Sequence, residues 1–272
     1  MCIAKSTVAS TFIFLVLLCL QWNIALAEIF EGVGHYHQDR QTTRAEACDR
    51  ALHKSKKNAF SKAGLERFSS VTRETCSEIE EQVECQLYQD TLNTYSGGYI
   101  AGYEKTESMV DRGNGPECQI LIQANVKEYG ASIDPNLTLS ASLNEDIFRA
   151  GDALSIKGEV SQLSYLYFLG WYPDIDSETY RAINGNSFLN EPVNGAFAFP
   201  GSSNSNFELR MEFPANIKKD RTLEFIIIVA SKVKISILGE ESISSFRARL
   251  DAIGRDQWTE TSLGYAIVKT RK

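Results

Sequence analysis

Hydrophobic and polar positions alternate in short stretches along most of the chain, and a period of two predicts β-strands. In the first half the pattern predicts strands over residues 29–36, 69–75, 84–94, 99–108 and 119–126. In the second half it predicts them over residues 137–143, 153–160, 163–172, 196–199, 207–213, 223–231 and 263–268. Residues 163–172 and 223–230 are apolar on both faces, which is typical of strands in the middle of a sheet.

Two segments carry helical signals instead. Thr43-Arg44-Ala45-Glu46 forms a capping box, and Gly64 stands where a helix commonly ends. Between them small residues recur every three or four positions, which predicts close packing on a sheet: Ala45, Cys48, Leu52, Ser55, Ala59 and Ala63. The glycines of residues 29–36 would permit that approach. The opposite, solvent-facing side is predicted to hold Arg50, Lys54, Lys56, Lys57 and Lys62. A short helix is predicted over residues 242–253.

The order of these elements predicts an α+β protein. We expect a small N-terminal sheet-plus-helix domain over residues 28–130, then an antiparallel β-sandwich-like domain over residues 137–238. A C-terminal helix and strand over residues 239–272 complete the chain. Residues 130–136 are the predicted boundary, and the two halves are expected to fold independently.

The first 27 residues have the features of a signal peptide. Lys5 supplies a positive charge, residues 11–20 are apolar but too few to span a bilayer, and Ala25-Leu26-Ala27 is a small-residue cleavage site. The alternative is an uncleaved anchor. We expect a mature protein that begins at Glu28 and has no stable transmembrane segment after cleavage.

Four cysteines follow this segment: Cys48, Cys76, Cys85 and Cys118. An even number of cysteines in an exported protein predicts two disulfides, for which three pairings exist. We favour Cys76–Cys85, which are close in sequence, and Cys48–Cys118. A zinc site is the alternative, but the spacing of these cysteines is not one that metal ligands use.

Charge and missing motifs exclude several classes of function. The chain has 35 acidic and 28 basic residues, a balance that argues against nucleic acid or anionic lipid as the main partner. It has no nucleophile elbow, no phosphate-binding loop and no dinucleotide fingerprint. We therefore predict no catalytic residue, no metal and no cofactor.

One rival to this interpretation is a metal-dependent hydrolase. His35 and His37 would share one face of a strand, and Asp39 could add an oxygen ligand. With no third histidine nearby, a pair of polar side chains at a solvated strand end is the simpler interpretation. Residues 174–178 also resemble the start of a calcium loop, but Thr179 and Gly185 stand where such a loop needs glycine and glutamate.

An aromatic strand ends at the best candidate for a binding site. Most aromatic side chains of residues 163–172 are expected in the core. Trp171 and Tyr172 instead run out into the loop that contains Asp174, where an aromatic pair can anchor a partner. These three residues are our predicted partner-binding site, with core packing as the alternative. A peptidoglycan or carbohydrate module using the same pair is a further hypothesis.

Parts of the chain resemble known families. Arg149-Ala150-Gly151-Asp152 and the aromatic strand with its tyrosine-proline step resemble the bacterial domain-of-unknown-function 4384 family, over roughly residues 137–231. The glycine-containing opening strand, the alanine-rich helix and residues 96–103 are similar to the N-terminal domain of flagellar assembly protein T and related envelope lipoproteins. This chain lacks a convincing lipobox, and the family pattern does not require its four cysteines.

These resemblances imply residence in a bacterial envelope and assembly with other proteins rather than a reaction. The expected protein is a non-enzymatic, exported protein in the periplasm of a Gram-negative bacterium, whose partners are other envelope proteins. Association with the outer membrane is left open.

Overall fold

The computed structural model describes residues 28–38, 42–65, 85, 87–89, 92, 95–111, 113, 115–130, 132–183, 191–200 and 208–269. The predicted signal peptide, Asp39, Cys76 and the strand predicted over residues 69–75 lie outside these ranges.

The N-terminal segment, residues 28–130, is a three-stranded antiparallel sheet with a helix on one face. Its strand order is β1–β3–β2, and the helix is α1. The bounds are β1 Ile29–His37, α1 Arg44–Lys62, β2 Gly98–Asp111 and β3 Pro116–Glu128. The capping box at Thr43 and Glu46 is confirmed, and Gly64 follows the helix with a φ of +74°.

Close packing of α1 on β1 depends on two glycines of the strand. A Cβ added to Gly32 would stand 2.0 Å from the carbonyl oxygen of Ser55, and one added to Gly34 would stand 1.9 Å from that of Ala51. Such distances are far below van der Waals contact, so only glycine lets the strand backbone lie this close to the helix. The predicted close approach is confirmed, although Ala45 of the predicted stripe is exposed.

A disulfide fastens the same helix to the sheet. Cys48 of α1 is bonded to Cys118 of β3, as predicted, with Cα atoms 5.1 Å apart. Cys85 is also disulfide-bonded. Its partner lies outside the described residues, and the pairing with Cys76 stays a prediction.

The strand predicted over residues 84–94 is wrong where the structure describes it. Cys85, residues 87–89 and Leu92 are helical. Cys85, Tyr88 and Leu92 are buried, and their spacing of three and four positions is that of one helix face.

The C-terminal segment, residues 132–269, contains one large sheet with the order β12–β8–β7–β11–β13–β5. Every neighbouring pair is antiparallel except β13 with β5. The first half of β7 leaves this sheet and pairs with β4 and β9 instead. The bounds are β4 Leu139–Leu143, β5 Ile147–Arg149, β6 Ala153–Leu154, β7 Ile156–Tyr172, β8 Asp176–Ala182, β9 Val193–Phe199, β10 Leu209–Arg210, β11 Arg221–Ser231, β12 Glu240–Ser242, α2 Ile243–Ile253 and β13 Trp258–Val268.

The two strands predicted to be central are central. β7 lies between β8 and β11, and β11 lies between β7 and β13. One face of this sheet packs against the β4–β7–β9 layer through Phe168, Ile226 and Ile228, which gives the predicted sandwich-like, α+β architecture. Short strands β5, β8 and β12 were not predicted, and the strand predicted over residues 207–213 is reduced to β10.

The other face of the large sheet packs against the N-terminal segment, and independent folding of the two segments stays a prediction. Leu169, Phe225 and Ile227 of the large sheet belong to the same buried cluster as Phe60 and Ile122 of the N-terminal segment. Residues 130–136 still link the segments, but apolar surface on each side is buried by the other.

The glycine contact gives a first prediction. Gly34→Ala should destabilise the oxidised mature protein by about 1–3 kcal/mol, because the new methyl group must push β1 away from α1. Urea unfolding followed by circular dichroism measures this. Gly102→Ala is the matched control, since nothing lies within 4 Å of its added Cβ. It should change stability by less than about 0.5 kcal/mol. Equal effects of the two substitutions would contradict the packing argument.

Candidate functional site at the junction of the two segments

Polar groups from both segments meet where the first turns of α1 face the turn between β7 and β8. We call this contact the junction. Asp49 of α1 accepts a hydrogen bond of 2.9 Å from the hydroxyl of Ser177 in β8. The backbone N–H of Glu178 donates to Asp176, also over 2.9 Å, which fixes the start of β8. The Asp49–Ser177 bond therefore ties the helix directly to the large sheet.

Lys56 crosses the junction about two turns further along the helix than Asp49. It is only 2% exposed, forms an ion pair with Glu178, and has its ammonium group 5.0 Å from the centre of the Tyr103 ring. The hydroxyl of Tyr103 donates to the same carboxylate over 3.3 Å. The prediction that Lys56 faces solvent is wrong, because the C-terminal segment covers this part of the helix.

His53 lies between these two residues and is enclosed by aromatic rings. Its ring centre is 5.0 Å from that of Tyr88 and 5.8 Å from that of Trp171. Burial, assisted by the positive charge of Lys56, lowers the pKa of His53 to about 3. The imidazole is therefore neutral at physiological pH, with Nε2 3.6 Å from a carboxylate oxygen of Asp49.

Burial has the opposite effect on the neighbouring carboxyl group. It raises the pKa of Asp49 to about 6, although the Ser177 hydrogen bond and Lys56 both act to lower it. Ser177 bonds to this carboxylate, whereas a serine nucleophile needs a basic imidazole as its hydrogen-bond partner. The group is arranged to join two segments, not to activate a hydroxyl.

A cleft of about 580 Å³ opens beside these residues. It is bounded by the first turns of α1, the β7–β8 turn and the loop between β10 and β11. Carboxylates and lysines line it together with a few apolar side chains: Glu46, Asp49, Asp174, Asp176, Lys218, Lys219, Tyr88 and Ile175. Lys219 lies 3.1 Å from Asp174 and 3.6 Å from Glu46, so it links the two sides of the cleft.

Trp171 is fully buried, and the prediction that it runs out into a loop as an accessible anchor is wrong. Its ring packs against Phe225 and Tyr88 with centres 5.3 and 5.7 Å apart. Its indole N–H donates to the carbonyl oxygen of Ser177 over 3.2 Å. Trp171 thus supports the junction from inside, and it offers no exposed ring on which a sugar could stack.

Tyr172 and Asp174 also have intramolecular contacts. Asp174 accepts hydrogen bonds from Lys219, the hydroxyl of Thr222 and the backbone N–H of Leu223, each over 3.1 Å. Tyr172 folds back over Gly170, where an added Cβ would stand 2.2 Å from its hydroxyl. Both residues therefore stabilise the end of β7, and partner binding by them stays a prediction.

The two histidines of β1 lie on the face of the small sheet opposite α1. Nδ1 of His35 is 3.2 Å from Glu117, and His37 packs against Gly115. Asp39 lies outside the described residues. Within the described ranges, the group that brings three ligand atoms together is Cys48, Glu107 and Cys118, whose sulfur atoms already form a disulfide. The structure therefore gives no support to a metal site at His35 and His37.

Sequence reasoning missed Arg247, which is buried at the far side of the same interface. Its guanidinium donates to both carboxylate oxygens of Glu260, over 2.8 and 2.7 Å, and to the hydroxyl of Tyr180 over 3.1 Å. It also lies 5.1 Å from the centre of the Tyr95 ring. The sequence pattern could have indicated this burial, because Arg247 lies on the apolar face of α2 with Ile243, Phe246 and Leu250.

The chain matches no protein-family model and is not significantly similar to any curated protein sequence. The family resemblances noted above therefore stay expectations. Among the described residues, no helix has both the length and the apolar character needed to span a membrane.

The Arg247 pair gives a second prediction. Arg247→Met should cost about 3–5 kcal/mol of unfolding free energy, because it leaves the carboxylate of Glu260 buried without its partner. Adding Glu260→Gln to that variant should recover part of the loss. Arg181→Met is the matched control, since its pair with Glu240 is exposed and should contribute at most about 1 kcal/mol. Urea unfolding of the wild type, these three variants and Glu260→Gln alone measures the effects, and additive effects of the Arg247 and Glu260 substitutions would contradict the coupling.

A third prediction concerns Glu224, which is buried beneath Tyr172. Burial raises its pKa to about 7, although a 2.7 Å hydrogen bond from Tyr265 acts to lower it. The native state therefore holds this proton more tightly than the unfolded chain, and that stabilisation is lost as pH rises through 7. From about pH 5 to pH 8, the free energy of unfolding should fall by about 2–3 kcal/mol more in the wild type than in Glu224→Gln.

Urea titrations of both proteins at the two pH values measure this difference. Glu159→Gln, which alters an exposed carboxylate of β7, should leave the pH dependence as it is in the wild type. A wild-type protein that is equally stable at both pH values would refute the assignment.

Proposed function

We propose that this chain is a non-enzymatic, exported protein of a bacterial envelope that acts by binding other proteins. The signal-like first 27 residues and the disulfide-bonded N-terminal segment support export. The junction supports binding rather than catalysis, because its polar side chains are engaged in joining the two segments.

The observation that carries the proposal is a set of exposed apolar side chains near the link between the segments. Ile133, Leu163 and Val233 are 41%, 60% and 39% exposed. We call these three residues the linker patch. The ladder between β7 and β11 ends at Tyr165 and Ser231, and Leu163 and Val233 each lie two positions beyond its end.

Hydrogen bonds hold the chain neighbours of these residues together. Asp134 accepts from Gln162 over 3.1 Å and from Lys232 over 2.6 Å. The bond from Lys232 is the main reason why the pKa of Asp134 is lowered to about 2, so the carboxylate stays charged at any physiological pH. The linker patch thus consists of exposed apolar side chains that are next in sequence to a fixed polar cluster, and exposed apolar side chains are found at protein-binding surfaces.

The two alternative functions have less support. A metal-dependent hydrolase would need His35 and His37 to belong to a ligand cluster, and the described residues do not form one around them. The hypothesis of a peptidoglycan or carbohydrate module needs an accessible Trp171 ring, and Trp171 is buried. Binding of a protein partner is therefore the function we put to the test.

A fourth prediction tests the linker patch directly. A photo-crosslinking amino acid at position 163 of the exported protein should capture one reproducible protein partner in living cells, whereas the same group at position 238 should not. Leu238 is the matched control because it is 52% exposed and is not part of the patch. With the partner purified, Leu163→Asp should weaken its binding by at least about tenfold, as expected when an apolar anchor is lost.

Leu238→Asp should leave that affinity unchanged, and melting curves should show both variants folded. The double variant His35→Ala with His37→Ala should also bind normally. A folded Leu163→Asp protein with full affinity would remove the linker patch as the binding site. A loss of function confined to the histidine variant would favour the metal-dependent hydrolase.

A further inference from the structure

Five carboxylates from two elements meet at the junction. Glu46 and Asp49 come from α1, while Asp174, Asp176 and Glu178 come from the β7–β8 turn and the start of β8. Three lysines oppose them: Lys56 of α1, and Lys218 and Lys219 of the loop between β10 and β11. Among the described residues these carboxylates therefore outnumber the lysines in a partly buried place, where repulsion between like charges is weakly screened.

The lysines that form ion pairs here do so with carboxylates other than Asp49. Lys56 pairs with Glu178, and Lys219 contacts Asp174 and Glu46. Within the described ranges, the group at ion-pair distance from Asp49 is His53, whose burial keeps it neutral. Tyr103 of β2 also lies near this carboxylate, and burial raises the pKa of its phenol, so it is neutral.

In the part of the chain that the structure describes, the side chain that donates a hydrogen bond to Asp49 is Ser177, across the junction. An ionised Asp49 must keep this contact while its charge is repelled by Glu178 and Asp174. A protonated Asp49 can still accept from Ser177, and it is no longer repelled. Separation of α1 from the β7–β8 turn would instead return the ionised carboxylate to water, where its charge is solvated.

We infer that the junction is an acid-sensitive contact: uptake of a solvent proton by Asp49 tightens the packing of α1 on the β7–β8 turn, and loss of that proton loosens it. The inference concerns the conformation of this chain and does not depend on the linker patch or on any partner.

The direction of this pH effect follows from the difference between the pKa of Asp49 in the closed junction and its pKa in the open junction. Burial holds the pKa of Asp49 at about 6 in the closed state, against 3.8 for an exposed aspartate. Opening therefore releases a proton at intermediate pH and becomes more favourable as pH rises through 6. From about pH 5 to pH 8 the opening equilibrium constant should increase roughly tenfold.

Hydrogen–deuterium exchange with mass spectrometry tests this in the complete, oxidised mature protein. After correction for intrinsic exchange rates, the protection factors of the amides of residues 46–50 and 173–178 should be roughly tenfold lower at about pH 8 than at about pH 5. Asp49→Asn keeps an acceptor for Ser177 but carries no charge at either pH. Its protection in these two stretches should be independent of pH.

Glu224→Gln is the matched control, because Glu224 also has a raised pKa but lies on β11, outside the junction. This variant should keep the pH dependence of residues 46–50 and 173–178. Equal wild-type protection at the two pH values would overturn the inference, as would an unchanged pH dependence in Asp49→Asn. Protection of residues 46–50 and 173–178 that equals that of β11 and β13 at both pH values would also overturn it, since that result would indicate exchange by global unfolding.

Discussion

Burial of the ion pair between Arg247 and Glu260 is a constraint that the joining of the two segments has to satisfy. A guanidinium with almost no contact with water is stable only if its donors are satisfied and its charge is balanced. Glu260 of β13 balances the charge, and Tyr180 of β8 accepts a further hydrogen bond. Tyr95, which lies against the guanidinium, belongs to the N-terminal segment. The N-terminal segment thus helps to cover a charge whose ion-pair partner lies in the C-terminal segment.

The large sheet is buried on both faces because both carry apolar side chains. Its sandwich face is covered by β4 and β9, whereas its other face would expose Leu169, Phe225 and Ile227 if the N-terminal segment were absent. Burial of those side chains is the main source of favourable free energy at the interface. Rings such as Tyr88 and Trp171 complete it with edge-to-face contacts. The boundary at residues 130–136 therefore separates two parts of one structure.

At the junction, burial changes the acid–base properties of residues that also hold the two segments together. The residues that a search for catalytic groups would select, Asp49, His53 and Ser177, lie within reach of one another, but burial makes the histidine a poor base. The same burial makes Asp49 easier to protonate. The low dielectric that weakens the catalytic interpretation is thus the property that makes this contact sensitive to pH.

Local features of the fold could be predicted from the sequence by itself, because they depend on neighbouring residues. The capping box at Thr43, the need for Gly32 and Gly34, and the two central strands are of this kind. The burial of Lys56, Trp171 and Arg247 could not, since each is buried by residues more than 50 positions away or by the other segment. A sequence shows which side chains are able to be buried. Only the tertiary structure decided which ones are, because burial depends on which distant surface covers them.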